Sequence, residues 1–344
     1  MAIFATILVL GAGLILMAKG GDIFVDSATR IASLAKVPEF LIGATVVAVG
    51  TTLPELLTSL TAIVKGVSAG GNMQDLTDVA VGNAVGSMAC NIGLILSVSF
   101  LLRPYPAGGK AFAVKGIFLL LCTGLLCMFC FFGGVISAAE GAVLIALFFV
   151  YIVINISDAL FRAKKNAAQK ILLVENVNFS APAPHFSAER GQKKSALVAP
   201  FVLFALGGIL VAAGALFTVE SVCRLCSKLG IEERIISVTV VALGTSLPEL
   251  VTAVTSARKG AGSLSLGNIL GANVINGTLL LGLSACVAGG LVIDPITRDY
   301  TLFFTFAITA VLVLPILAFR RTSRAQALAL LALYIAVVAI NCIM

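Results

Sequence analysis

Charge is scarce in this chain. Its 344 residues include 23 lysines and arginines and 16 acids, 11% charged in all, against 60% hydrophobic. A soluble globular domain carries about 25% charged residues, so that class is excluded. Histidine occurs once, at His185, which leaves little room for imidazole metal sites or histidine general-base chemistry. No HExxH, GxSxG or DxxD-type cluster falls inside the apolar runs, so a membrane-embedded enzyme is not expected. Cys223 and Cys226 form a CxxC, but no second CxxC or nearby histidine completes a zinc set. The eight cysteines fall mostly in apolar runs, where a thiol packs as a small hydrophobe. The first run, 2–17, lacks a basic n-region and a clear small-residue cleavage site. It reads as the start of a retained helix rather than a signal peptide.

What is there instead is length in apolar runs. Segments of roughly 20 residues recur along the chain, each able to cross the hydrocarbon core as a helix. Ten spans are expected, at about 2–29, 38–65, 79–103, 113–135, 138–161, 196–223, 232–258, 264–290, 299–319 and 325–343. The fold class is therefore an all-α polytopic membrane protein. One long polar segment, 162–195, separates a first five-helix unit, 1–161, from a second, 196–344. Its Ala181-Pro182-Ala183-Pro184 stretch reads as a flexible linker. The loops after spans 1, 3, 5, 7 and 9 hold 2, 3, 7, 2 and 3 basic residues, 17 of the 23. The positive-inside rule then puts 162–195 in the cytoplasm and both termini outside. It also accounts for the net charge of +7 without nucleic acid. Compact loops fit a prokaryotic inner membrane, and nothing in the sequence indicates a protein partner or an organic cofactor.

The two units are copies. At an offset of 194 residues Gly13 aligns with Gly207, Asp26 with Glu220, Gly50 with Gly244 and Lys65-Gly66 with Lys259-Gly260. Across Gly43–Leu60 against Ser237–Val254, eleven of eighteen positions are identical. Equivalent spans lie five crossings apart, and an odd number inverts the copy. Inverted repeats with interrupted helices meeting at the bilayer midplane are an architecture of secondary transporters.

Within each copy an acid stands where an acid is costly: Gly50-Thr51-Thr52-Leu53-Pro54-Glu55-Leu56 and Gly244-Thr245-Ser246-Leu247-Pro248-Glu249-Leu250. An ionisable group in a span marks a functional site by default. The proline cannot donate to the carbonyl four residues back, Gly50 or Gly244, so a carbonyl stands free beside a carboxylate. With the Thr and Ser hydroxyls, each stretch offers the mixture of oxygens that hard cations bind. The competing reading is a proline-kinked helix whose glutamate pairs with a base, and its weight falls once the motif occurs twice. A second motif follows each acid, Gly82-Asn83-Ala84-Val85-Gly86-Ser87-Met88-Ala89-Cys90-Asn91 and Gly267-Asn268-Ile269-Leu270-Gly271-Ala272-Asn273-Val274-Ile275-Asn276. Its glycines suit close helix approach. Ser87 and Asn91 lie at i, i+4, as do Ala272 and Asn276, so copy one presents two polar side chains on that face and copy two one. Interhelical hydrogen bonding is the bland role for these asparagines. Copy one carries about nine extra residues near 67–77, read as a longer external loop.

These paired motifs resemble the two alpha-repeats of the calcium/cation antiporter superfamily, which includes the sodium/calcium exchangers. Gly20-Gly21-Asp22-Ile23-Phe24-Val25-Asp26 matches the usual end of the first helix, and with the ten-helix plan the resemblance spans most of the chain. It implies a cluster of four ion sites between the repeats. Glu55 and Glu249 would be the central carboxylates, and Thr52 and Ser246 would add hydroxyls. Ala48, Thr51, Ala242 and Thr245 would add backbone carbonyls, and Ser87, Asn91 and Asn276 would complete the set. Two positions depart from the pattern. Ala272 replaces a frequent Ser, removing one oxygen expected of a sodium site, and Asn91 and Asn276 are both neutral where some members carry an Asp. The implied function is calcium exchange for sodium by alternating access. Two buried glutamates could instead carry protons, since burial disfavours the charged carboxylate. A cation channel would also use a midplane carboxylate pair, but inverted repeats favour alternating access.

Overall fold

The structure, a computed structural model, describes residues 2–35, 37–69, 73–177, 194–228 and 242–343. The described residues are almost entirely helical. Helices α1 (Ala2–Ala35), α2 (Glu39–Ile42) and α3 (Ala48–Ala69) are followed by α4 (Met73–Cys90), α5 (Ser97–Leu102), α6 (Lys110–Gly133) and α7 (Ala138–Val177). The second half holds α8 (Lys194–Lys228), α9 (Ala242–Thr245), α10 (Leu247–Lys259), α11 (Gly262–Val274), α12 (Leu281–Ala288), α13 (Leu302–Phe319) and α14 (Arg324–Ile343). Short π-helical turns at Gly43–Val47, Asn91–Leu96 and Ile275–Leu280 join α2 to α3, α4 to α5 and α11 to α12 into continuous rods. A two-stranded ribbon, β1 (Val135–Ser137) against β2 (Gly290–Val292), ties the α6–α7 turn to the turn after α12.

Among the described residues nine helical segments are long and apolar enough to cross a membrane. The seventh expected span lies partly at 229–241, outside the described residues, and continues as α9 and α10. About half of the expected linker, 178–193, also lies outside the described residues. Its first part is not a linker by conformation, because α7 continues as helix to Val177, past the expected boundary at 161.

Burial separates the helices into two classes. In the most apolar window of the 262–288 rod 83% of residues are buried, against 17% for 138–161. The first is a core element, whereas the second is covered on its outer face by lipid. The core rods cross at glycines. A Cβ on Gly267 would collide with the Phe40 carbonyl oxygen, and one on Gly271 would lie 2.6 Å from the Ala48 Cβ and 2.8 Å from the Ala44 oxygen. The second-motif glycines of copy two thus let α11 lie directly on the α2–α3 rod, as small residues do in membrane interfaces. Gly82 and Gly86, their counterparts, meet no close neighbour among the described residues. The segment equivalent to 40–47, at 234–241, is outside them.

Helices α1 and α8 pair along their length. Backbone meets backbone where Gly214 faces Gly13 and Gly207 faces Gly20 and Phe24, with the Phe24 and Phe204 rings stacked at 4.3 Å. The pair is anchored to the core by Lys259, at the end of α10, which holds Asp26 at 2.8 Å and Asp22 at 3.2 Å. Asp26 is therefore an ion-pair partner rather than the snorkelling or capping acid its span-end position suggests. Glu140 does cap, accepting from the Ser137 N–H and hydroxyl at 2.8 Å each. Lys115 needs a larger correction. Counted with the basic loop after span 3, it is buried within α6, with its ammonium 5.2 Å from the Phe40 ring centroid. That is a cation–π arrangement. The positive-inside count on that side falls by one, from 17 to 16 of 23, without changing sign. Cys90, Cys122 and Cys130 are buried as free thiols, and the side chains of Cys223 and Cys226 lie outside the described residues.

Candidate metal site

The first motif folds differently in its two copies. Around Glu55 the helix is continuous, with Pro54 inside α3. Around Glu249 it breaks at Ser246 (φ −89°, ψ 5°), which caps α10, and Pro248 falls in the first turn. There the missing N–H costs nothing. Glu249 consequently sits at the positive end of a helix dipole, while Glu55 lies in mid-helix. In the second motif both copies change from α to π winding where the predicted amides stand, at Asn91 and at Ile275–Asn276. Such turns recur at functional sites because they re-aim side chains and free backbone groups.

The fold brings the two motifs of opposite copies together. Glu55 and Glu249 are both fully buried, and each lies within the other's electrostatic reach. The Thr52 hydroxyl donates to Glu249 Oε1 at 3.5 Å, and Ser246 lies near Glu55 while donating to the Ser87 Oγ at 3.3 Å. Each carboxylate thus has a hydroxyl of the opposite copy beside it, and the one from Thr52 donates to its carboxylate. Thr51 and Thr245 are matched in the same way. Thr51 donates to Asn268 Oδ1 and Thr245 to Asn83 Oδ1, both at 3.2 Å. Thr51 also lies 3.4 Å from the Ala48 carbonyl oxygen. Ala48 is fully buried. Ala242 begins α9, and its side chain is outside the described atoms.

Several buried oxygens have no partner among the described residues: both of Glu55, Oε2 of Glu249, Oδ1 of Asn91 and Oδ1 of Asn276. Asn276 stands on the π turn that packs against α3 and α4, which carry Glu55 and Ser87. Burying even one ionised carboxylate costs several kcal/mol unless an opposite charge offsets it. Among the described residues no cluster of three or more His, Cys, Asp or Glu occurs. Among the described residues named in this cluster the ionisable side chains are the two glutamates, set among neutral amide and hydroxyl oxygens. Such a shell is matched to one divalent ion or to monovalent ions in its place.

Three asparagines in this shell carry no role in the sequence reading beyond interhelical bonding, and the structure gives them specific tasks. Asn83 donates to Ser59 Oγ at 2.9 Å and lies 3.4 Å from the Glu55 carbonyl oxygen, while accepting from Thr245. Asn268 accepts from Thr51. Asn273 accepts from Asn91 at 3.1 Å and donates to the Met88 carbonyl at 2.9 Å. For Asn83 and Asn268 the repeated GNxxG motif was the available signal, whereas Asn273 falls outside it and matches Met88 in copy one; the partners across the two copies lie 162 to 217 residues away.

Comparison with known proteins gives a consistent result. The family model described as sodium/calcium exchanger protein matches residues 5–157 and 199–343. The sodium/calcium exchanger MaX1 of Methanosarcina acetivorans is 31% identical, with 92% of this chain and 91% of that protein covered. The membrane protein MJ0091 of Methanocaldococcus jannaschii is 32% identical over 78% of each. Among solved structures, the sodium-calcium exchanger NCX_Mj soaked with sodium and strontium superimposes with a TM-score of 0.79 at 28% identity, covering 98% of this chain and 99% of that one.

Proposed function

The chain belongs to the sodium/calcium exchanger family, and from that premise we propose that Glu55 and Glu249, with the oxygens around them, are the site at which it exchanges sodium for calcium. The observation that carries this reading is the set of buried, unpartnered oxygens on Glu55, Glu249, Asn91 and Asn276. Two carboxylates balance one Ca²⁺. When sodium loads instead, it occupies the same carboxylates with the hydroxyls of Thr52, Ser246 and Ser87 and the carbonyls of Ala48, Thr51, Ala242 and Thr245. Because both loads need Glu55 and Glu249, they are carried in alternation, and the fluxes are coupled.

Alternation requires a moving part. The α1–α8 pair, packed backbone to backbone through its own glycines, moves as one body across the core rods and opens the site to one side or the other. The chain is a membrane protein. On its compact loops it lies in a prokaryotic inner membrane, and on its loop charges both termini are outside and 162–195 is in the cytoplasm. That segment joins the two inverted units, 1–161 and 196–344.

Reconstituted vesicles test this directly. An imposed sodium gradient at clamped pH drives calcium uptake by the wild type, and Glu55→Gln or Glu249→Gln abolishes it. A proton gradient without sodium drives none. Undiminished sodium-driven uptake in both variants would overturn the site.

A further inference from the structure

We propose that Asn273 is a positioning residue that holds the Asn91 carboxamide with its oxygen facing the ion site, an inference that rests on the reading of Glu55 and Glu249 as that site. The argument is one of donor polarity. A carboxamide has a donating and an accepting end, and which end faces a cation decides whether it is a ligand or a repellent. The polarity of this chain of amides is set at its far end. The Met88 main-chain oxygen can only accept, so Asn273 must present Nδ2 to it, at 2.9 Å. Its Oδ1 then faces Asn91 and can only accept, so Asn91 must present Nδ2, at 3.1 Å. Asn91 Oδ1 is left over, buried and unpartnered. All three residues are shielded from solvent, with Asn91 and Asn273 fully buried and Met88 1% exposed.

The brace works against a definite alternative. The π turn that begins at Asn91 packs against α10, which carries Glu249, and a carboxylate on that side attracts the N–H₂ end. Released from Asn273, the amide would turn that end toward it, since a hydrogen bond to a charged acceptor is the stronger kind. Calcium would then have to reverse it on binding. Copy two has no such device. The residue equivalent to Asn273 is Met88, whose thioether lies 3.3 Å from where a Cβ on Gly277 would stand, beside Asn276. Neither end of the Asn276 amide has a partner among the described residues. The two ligand amides are thus unequal, one held by a hydrogen bond and one not.

The test compares calcium activation of sodium-driven exchange in wild type, N273A, N91D and N91D/N273A, with thermal midpoints for each. Loss of the brace lowers the fraction of sites with the oxygen inward, so N273A raises half-saturating calcium roughly five- to tenfold, with maximal rate within about twofold of wild type. In N91D both terminal oxygens accept and orientation no longer matters. Adding N273A to N91D therefore costs less than about twofold. N273L, which keeps the side-chain volume, replaces N273A in both backgrounds should the alanine variant not fold. An unchanged half-saturation in the folded single variant overturns the proposal, as does an equal penalty with and without N91D. E55Q separates the two readings. If it too leaves calcium uptake intact, the site itself is misplaced; if it abolishes uptake while N273A changes nothing, only the positioning role falls.

Discussion

Ala272→Ser should strengthen sodium activation without altering calcium activation. The inverted copies make the expectation quantitative. Ser87 accepts the Ser246 hydroxyl at 3.3 Å, and the equivalent pair in the other copy is Thr52 with Ala272, where no second hydroxyl exists. Thr52 donates instead to Glu249 Oε1 at 3.5 Å, the outer limit of a hydrogen bond. Serine at 272, a fully buried position, restores the missing oxygen and adds a single heavy atom. A net hydrogen bond or equivalent polar contact is worth about 0.5–1.5 kcal/mol, which is roughly a two- to twelvefold change in an equilibrium constant. The measurement is calcium uptake into proteoliposomes at a series of sodium concentrations. Half-activating sodium falls by that factor, and half-saturating calcium stays within about twofold. An unchanged sodium curve from a folded variant refutes the idea that position 272 belongs to the sodium shell. A curve shifted to higher sodium would mean that the added atom strains the α11 contact instead.

Other outcomes follow from the packing and the topology. Gly267→Ala places a Cβ against the Phe40 carbonyl oxygen, a backbone group that cannot rotate away. Overpacking of this kind costs about 1–3 kcal/mol, so the detergent-solubilised protein melts several degrees lower, whereas Gly11→Ala, with no neighbour near its Cβ, leaves the midpoint unchanged or higher. Lys259→Met unties α1 from α10. Amide hydrogen exchange across 20–30 rises, and half-saturating calcium stays near the wild-type value; unaltered exchange would show that the ion pair does not hold α1. Cys342 is exposed near the C-terminus, so in a C223A/C226A/C286A background a membrane-impermeant maleimide labels it from outside intact cells. Labelling only after lysis would reverse the assigned topology.

The large-scale plan was legible because its signals are local or periodic. Apolar runs fixed the spans, and the 194-residue offset with its parity implied inversion. The repeated Pro-Glu stretches marked Glu55 and Glu249, and the fold does bury them together. What stayed hidden was pairing across the two copies. Asn83, Asn268 and Asn273 read as generic interhelical asparagines until their partners, in the opposite copy, are known. Lys115 was misplaced because a lysine near a span end ordinarily snorkels to the interface, and nothing in its neighbourhood announces the Phe40 ring, 75 positions earlier in the chain. The break at Ser246, against a continuous α3 around Thr52, is likewise invisible in motifs that differ there by only one methyl group.

The most direct measurement is anomalous diffraction from crystals of the protein soaked in strontium, a divalent stand-in for calcium. The account predicts a strong peak between the Glu55 and Glu249 carboxylates, within ligand distance of both and of Asn91 Oδ1, lost in crystals of E55Q/E249Q. A principal peak remote from both glutamates, or one that persists in that double variant, would contradict it.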